Sequence, residues 1–297
     1  MTPKISVIIN TFNRAHYLKQ SISSVLTQSY NDFELIVWDD GSTDSTSNVV
    51  SNFNDERIVY IKNKHIGQYQ SRNKALDIAR GIYISFLDSD DYFLSNKLEF
   101  QYRAIFNNDF DCCLSNYYLL DEYTNIKKKG YFIKKKSGEI LNEISKNYQH
   151  NCLSTLFFKK KIIQKYKIKF IEKYKIISDK DFILNLAKFG KIKRLTTPLT
   201  VYRLHNNNVS IKNKSLEIKE LEDWIYNIKN KKLIRFFSNK QINNLYDRVH
   251  YLKTTHKNNL KDIFIFYNNF KKIKSFNLKI KSILVALNLL IIKRIFK

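Results

Sequence analysis

Two runs of carboxylates carry the first chemical signal in this sequence. Asp88-Ser89-Asp90-Asp91 and Asp39-Asp40-Gly41-Ser42 each follow directly on a β-branched, apolar run. Carboxylates at x and x+2 past a strand end can place oxygen ligands on one hard divalent cation. Mg²⁺ or Mn²⁺ takes one or two such ligands together with substrate phosphate oxygens. Each run by itself also reads as a turn and helix cap, because Asp, Gly and Ser favour both. Their company changes the reading: acidic clusters ending two strands of one sheet repel each other, so something positive is expected between them. A third polar cluster, Thr11–Arg14, ends the first apolar run. Later, Ser178-Asp179-Lys180-Asp181 opens an amphipathic stretch closed by Gly190, and Arg203 and His205 end a short apolar run. The Ser178–Asp181 residues suit a helix start, where Ser caps and acids complement the dipole.

Strands are expected over Ile5–Ile9, Phe33–Trp38, Ile58–Ile61 and Ile82–Leu87. Helices are expected over Tyr17–Gln28 and Gln68–Arg80, the latter ending at Gly81, with another between the second and third strands. That middle helix has an N-cap in Ser42 or Thr43 and Asp44 in its first turn. Continuous β-branched runs alternating with helices indicate an α/β protein with a mostly parallel sheet covered on both faces. Ligands of such sheets bind at the carboxyl ends of the strands. All three polar clusters fall there. Beyond residue 126 the pattern loosens: Lys127–Lys136 reads as a charged hairpin or loop and Leu153–Phe158 as a strand. A helix over Asp181–Phe189, a short strand over Leu199–Tyr202 and helices from about Ser210 onward complete the expectation. Cys112, Cys113 and Cys152 read as buried small residues rather than nucleophiles.

The chain has 297 residues, 43% hydrophobic and 14% aromatic, enough for a sizeable core and too much for a disordered protein. Three cysteines, two of them adjacent, form neither a disulfide framework nor a zinc spacing. Charge divides sharply. Residues 1–125 hold 11 Lys/Arg against 16 Asp/Glu, whereas residues 126–297 hold 41 against 11. A basic half attracts nucleic acid, anionic membrane or phosphorylated substrates. Nucleic acid is not expected, because no recognised reader motif accompanies the charge. Ile280, Ile283, Leu284, Leu287, Ile291 and Ile295 follow helical spacing with Lys279, Lys281, Lys293 and Arg294 around them. That is an interfacial-helix pattern, and Phe264–Phe270 has similar character. Each basic residue near an anionic surface adds about 1 kcal/mol. The alternative is that these helices cover the catalytic domain and the lysines solvate their outer faces. The tract Ile283–Ile292 is too short for a membrane span, which needs ~20 residues. Ile5–Asn10 is likewise too short for the apolar core of a signal peptide.

Taken in order, four segments resemble those of the family 2 glycosyltransferases of the GT-A fold. They are Ser6-Val7-Ile8-Ile9-Asn10-Thr11-Phe12-Asn13-Arg14, Val37-Trp38-Asp39-Asp40-Gly41-Ser42-Thr43-Asp44, Gly67 with Ser71-Arg72-Asn73, and Tyr83-Ile84-Ser85-Phe86-Leu87-Asp88-Ser89-Asp90-Asp91. The first carries Asn10 where Pro is usual. The resemblance implies a Rossmann-like central sheet, helices on both faces, and transfer of a sugar from a nucleotide diphosphate sugar with inversion. It implies that Thr11, Asn13 and Arg14 line the donor pocket, that Asp39 or Asp40 contacts the base, and that Arg72 holds ribose or diphosphate. Asp88 would meet ribose or a metal-bound water, and Asp90 the Mn²⁺ or Mg²⁺. The segment from Ser178 resembles the family's base-bearing helix, with Asp179 as base, Asp181 in support and Ser178 where Glu is usual. Pro198–His205 resembles its closing segment, in which His205 returns to the metal and Arg203 neutralises diphosphate. Ser154, within His150–Thr155, and Asp91 are expected near the acceptor.

Residues 1–210 would then be the catalytic domain, with a nucleotide-sugar half (1–125) and an acceptor half (126–210). Residues 211–297 would form a basic helical region. The implied acceptor is a glycan, lipid-linked, at the inner face of the cell membrane, in capsule, lipopolysaccharide or glycoprotein glycan assembly, with UDP the commonest carrier. No Gln-x-x-Arg-Trp segment of processive synthases occurs, so one sugar per encounter is expected. A member that binds sugar nucleotide or membrane without catalysis, and a nucleotidyltransferase, are the competing readings.

Overall fold

Apolar runs that must bury side chains on both faces select a sheet with cover on either side. The computed structural model describes residues 2–130, 137–146, 152–208, 213–230 and 238–255. Strands β1 (Ile5–Thr11), β2 (Phe33–Asp39), β3 (Ile58–Lys62) and β4 (Tyr83–Asp88) pair in the order β3-β2-β1-β4, all parallel. Helices α1 (Ala15–Leu26), α2 (Thr46–Ser51) and α3 (Gln68–Ile78) connect them. Gly81 lies where the chain leaves α3 and passes β1. A Cβ there would sit 2.4 Å from the Ser6 backbone nitrogen, so the close approach requires Gly.

One expected cap is overturned. α2 starts only at Thr46, with Ser45 before it, so neither Ser42 nor Thr43 caps it. Ser42 Oγ instead accepts the Asn13 N–H, and the Asp44 carboxylate accepts the N–H groups of Ala15 and Thr46. The side chains suited to capping are spent joining the loop after β1 to the loop after β2.

The second half extends the same sheet through β5 (Tyr92–Phe93), β6 (Cys112–Asp121), β7 (Ile126–Lys129), β8 (Leu156–Lys159) and β9 (Ile192–Leu204). Helices α4 (Lys97–Ile105), α5 (Leu141–Lys146), α6 (Lys160–Tyr166) and α7 (Ser178–Phe189) accompany them. Strand order continues β4-β8-β6-β9-β5, with β7 pairing β6. β8 is antiparallel to both neighbours, while β6 and β9 run parallel. The strand expected at Leu153–Phe158 begins only at Leu156, because Leu153–Thr155 forms a 3₁₀ turn. Thr155 Oγ1 bonds back to Cys152 O and Ser154 Oγ reaches Asp91, bonds that hold this stretch out of the ladder. The short strand at Leu199–Tyr202 proves to be the end of a 13-residue β9, irregular where Asn116 faces Pro198. Of Lys127–Lys136, the first part is β7, and residues 131–136 lie outside the described residues.

Alternation along the strands separates two cores. Ile5, Val7, Ile9, Leu35 and Val37 pack with Leu18, Ile22 and Val25 of α1, Val50 of α2, and Leu98 and Ile105 of α4. On the other face Phe86 meets Phe158, Phe170 and Phe182, and Phe170 stacks on Tyr69 of α3. Cys112 and Cys113 are buried in β6.

The chain divides into two compact units, Met1–Ile144 with Gln149–His205, and Ser145–Tyr148 with Asn206–Lys297. In the second, α8 (Lys214–Asn230) and α9 (Asn239–Thr255) bury Leu221, Trp224, Ile225, Leu245 and Val249. The segments Phe264–Phe270 and Ile280–Ile295, like His150 and Asn151, lie outside the described residues. No helix among the described residues is long and apolar enough to cross a membrane.

Candidate active site

Parallel registry brings the three polar clusters to one edge of the sheet. Asn10 pairs with both Trp38 and Asp88, and Thr11 with Asp39, so β1, β2 and β4 end within a residue of one another. Three buried polar atoms at these ends, Asn10 Oδ1, Thr11 Oγ1 and Trp38 Nε1, have no hydrogen-bond partner among the described residues. Buried polar groups are normally satisfied, which marks this edge as a place for a ligand.

Around it the expected residues behave differently from one another. Asn13 turns the chain at φ +51° and accepts the Thr43 N–H through Oδ1. Arg14 precedes α1, its carbonyl receiving the Tyr17 and Leu18 N–H groups. Asp39 accepts the Ser42 N–H and the Tyr60 hydroxyl. Asp40 accepts the Ile66 and Gly67 N–H groups and stands 2.9 Å from His65 Nδ1. Both carboxylates are buried and anchor loops. Gly41, directly after them, turns at φ +84°, where a Cβ would meet the His65 backbone nitrogen at 2.7 Å.

Arg72 is the electrostatic centre. It comes from α3, is only 8% exposed, and pairs with Asp88. Burial alone would lower its pKa, but the charges of Asp88, Tyr69, Asp179 and Asp90 outweigh that and raise it. Its guanidinium also lies over the rings of Tyr69 and Phe170. Asp88 is pushed upward by burial against the pull of Arg72, with Asp90 and Asp179 adding repulsion. Four groups from α3, the β4 end and α7 therefore share one field.

The turn after β4 is braced on every side. Asp90 Oδ2 lies 3.0 Å from His205 Nε2, and Asp90 O accepts from Arg203 Nε. Asp91 is buried, accepts the Arg203 N–H and the Ser154 hydroxyl, and is raised well above an ordinary carboxylate by burial and by Asp90 and Asp88. Ser154 Oγ in turn accepts the Asp88 N–H. The Arg203 guanidinium reaches Gln20 and lies 4.9 Å from the Tyr17 ring, whose hydroxyl donates to Glu122. Among the described residues no group of three or more His, Cys, Asp or Glu side chains could hold a metal ion. Asp90 and His205 offer one oxygen and one nitrogen side by side, a donor pair that fits a divalent cation completed by ligand oxygens.

Asp179 sits in the first turn of α7, with Lys180 Nζ 3.4 Å from its Oδ2. Asp181 turns along the helix to Asn185. Ser178 Oγ accepts the Ile171 N–H, tying the preceding loop to the helix start. Asn73 grips the same loop: Nδ2 donates to Phe170 O and Oδ1 accepts the Phe170 N–H. Tyr69 and Gln68 add bonds to Ile176 O and Lys175 O. The helix that carries Arg72 thus positions the loop that leads to Asp179.

Tyr17 and Glu122 carry no signal in the sequence, whereas Asn73 falls within the third resembling segment without a role being implied for it. Phe12 is 40% exposed and stacked on His65 with ring centroids 4.2 Å apart. Phe12 lies within the Thr11–Arg14 cluster, and only the tertiary structure sets its exposure and its stack on His65.

Comparison with known proteins gives one family. The family model described as glycosyl transferase family 2 matches residues 6–167, more than half of the chain. A relative from Escherichia coli, UDP-Glc:alpha-D-GlcNAc-diphosphoundecaprenol beta-1,3-glucosyltransferase WfgD, is 31% identical over 236 residues, which cover 78% of this chain and 89% of the relative. Among solved structures, Staphylococcus aureus TarS 1–349 in complex with UDP-GlcNAc superposes with a TM-score of 0.69 at 19% identity, covering 91% of this chain and 81% of that one. The mannosyltransferase PcManGT from Pyrobaculum calidifontis, in complex with GDP-Man and Mn²⁺, gives a TM-score of 0.61 at 14% identity, with 96% and 85% coverage. These two share the fold.

Proposed function

Because the chain belongs to glycosyl transferase family 2 and is a glycosyltransferase, we propose that it moves a sugar, with inversion, from a UDP-sugar to a hydroxyl of a lipid-linked glycan. In this reading it works as a peripheral protein at the inner face of the cell membrane, one sugar per encounter. The observation that carries the proposal is the shared field on Arg72: groups suited to hold a diphosphate and a group suited to take a proton stand together. WfgD is named for a UDP-Glc donor and a diphosphoundecaprenol-linked acceptor, and TarS was crystallised with UDP-GlcNAc. The first favours that donor and acceptor here, and the second favours the UDP carrier.

Arg72 supplies a fixed, buried guanidinium suited to bidentate phosphate recognition. The exposed face of the Phe12–His65 pair offers an aromatic platform for a nucleobase. Thr11 Oγ1 and Asn10 Oδ1 gain partners when polar donor atoms reach the strand ends. Asp90 and His205 would hold Mn²⁺ or Mg²⁺, which when bound offsets the negative charge that develops on a diphosphate leaving group. Arg203 and Asp91 keep Asp90 in place through its carbonyl and the following turn. An Asp179 oxygen takes the proton of the attacking acceptor hydroxyl, and Lys180 Nζ, 3.4 Å from Oδ2, helps to orient that carboxylate.

A thermal-shift panel of UDP, GDP, CDP and dTDP, each with and without Mn²⁺, tests the donor site, since a ligand of the folded state raises the melting point. A metal-dependent shift with UDP is expected. No shift with any nucleotide overturns the donor assignment. Asp179→Asn should abolish transfer while nucleotide affinity stays within a few fold; equal loss of both removes Asp179 from the base role.

A further inference from the structure

The hairpin between β6 and β7 is the feature that the transfer reaction does not use. Residues 122–129 are all exposed. At its tip stand two large apolar side chains, Tyr123 at 67% and Ile126 at 58% exposure. Lys127, Lys128 and Lys129 follow in one strand that, among the described residues, pairs only with β6. The two acids of the tip are engaged: Asp121 accepts the Tyr123 and Thr124 N–H groups, and Glu122 accepts the Tyr17 hydroxyl. Lysines on an edge strand discourage unwanted pairing. That role does not explain an exposed Tyr and Ile beside them, which work against it.

The hairpin is also tied to the site. Glu122 N–H donates to Leu204 O, next to His205, and Tyr17 spans from Glu122 to the His205 ring, 4.9 Å between centroids. The apolar tip therefore rises from the rim of the Asp90–His205 pair. An aromatic and a branched aliphatic residue flanked by lysines match a bilayer interface, where rings sit at headgroup level and basic residues meet anionic lipid.

We infer that the Tyr123–Lys129 hairpin is a lipid contact, inserting Tyr123 and Ile126 at the surface of an anionic bilayer and pairing Lys127–Lys129 with its headgroups. The inference rests on the reading that the acceptor is lipid-linked. It adds that the rim of the site faces the membrane, so that the acceptor sugar reaches Asp179 without its lipid leaving the bilayer. Each lysine contributes roughly a five-fold gain in partitioning to an anionic surface.

The native cysteines are buried, so the full chain carrying Tyr123→Cys can be labelled selectively with an environment-sensitive dye. Vesicles of 70:30 phosphatidylcholine and phosphatidylglycerol should shift the emission to the blue and expose the dye to quenching by spin-labelled lipid. Pure phosphatidylcholine vesicles should not. The same dye on Ser51→Cys, exposed on α2, should keep aqueous emission. Adding Lys127→Gln, Lys128→Gln and Lys129→Gln should weaken the partitioning read at position 123 by about a hundred-fold. A protein that sediments with anionic vesicles while the dye at position 123 stays aqueous overturns the inference, because another surface then docks. Absence of binding overturns it too. Neither outcome touches the nucleotide shift or the transfer assay, where failure of the transferase reading would register.

Discussion

Lys97 is a lysine that the fold has taken out of water. It begins α4, is fully buried, donates through Nζ to Ser85 Oγ at 2.8 Å, and lies 4.0 Å from the Phe93 ring centroid. Burial lowers its pKa from 10.5 to about 7, with the neighbouring Cys113 and Cys152 opposing the drop weakly. At 1.36 kcal/mol per pH unit, holding the ammonium in the core costs about 5 kcal/mol below pH 7. The folded state binds fewer protons than the unfolded one between pH 7 and 10.5, so this lysine makes stability rise with pH across that window. Lys97→Met keeps the length and removes the charge. Relative to the neutral amine it forfeits only the hydrogen bond, about 1 kcal/mol, while Ser85 keeps Leu156 O as its acceptor. The variant should be more stable by about 4 kcal/mol at pH 6, and the advantage should vanish near pH 10. Urea unfolding in a Trp224→Phe background reports the first unit through Trp38. Parallel stability–pH curves for the two proteins, or a Met variant weaker at every pH, would refute the reasoning.

Three further outcomes are expected. Asp90→Ala should erase the Mn²⁺ dependence of the nucleotide thermal shift, and an unchanged dependence would remove Asp90 from the metal role. Asn73→Ala leaves the Phe170 N–H and C=O without their partner, at about 1–3 kcal/mol for each unsatisfied group. Its kcat should fall at least ten-fold with donor KM within a few fold, and Asn73→Asp, which keeps the acceptor, should recover part; loss confined to KM would show that Asn73 does not act through Asp179. Phe12→Ala should weaken UDP affinity by the roughly 1–3 kcal/mol of a base–aromatic stack, measured by calorimetry, and unchanged affinity would dismiss the platform.

The local pattern of the chain determined a good deal by itself. The period of apolar residues sets β1 to β4 and α1 and α3 to within a residue or two, because both-face burial leaves continuous β-branched runs no other stable use. Residue chemistry at the strand ends then gathered the carboxylate clusters at one edge, and the family resemblance added Arg72 and Asp179, which helices carry. What each group does there was decided by packing. Asp39 and Asp40 look equivalent to Asp88 and Asp90 as residue types, yet their oxygens go to Tyr60, Ile66 and Gly67. Ser42 joins two loops instead of capping a helix. Lys97 opens a helix as any surface lysine would and ends wholly inside. Arg203 and His205 reach Asp90 across more than a hundred residues of chain. The difference is physical: hydrophobic periodicity is a property of neighbours along the chain, whereas a polar side chain takes whichever partner folding brings within 3 Å, and only the tertiary structure brings it.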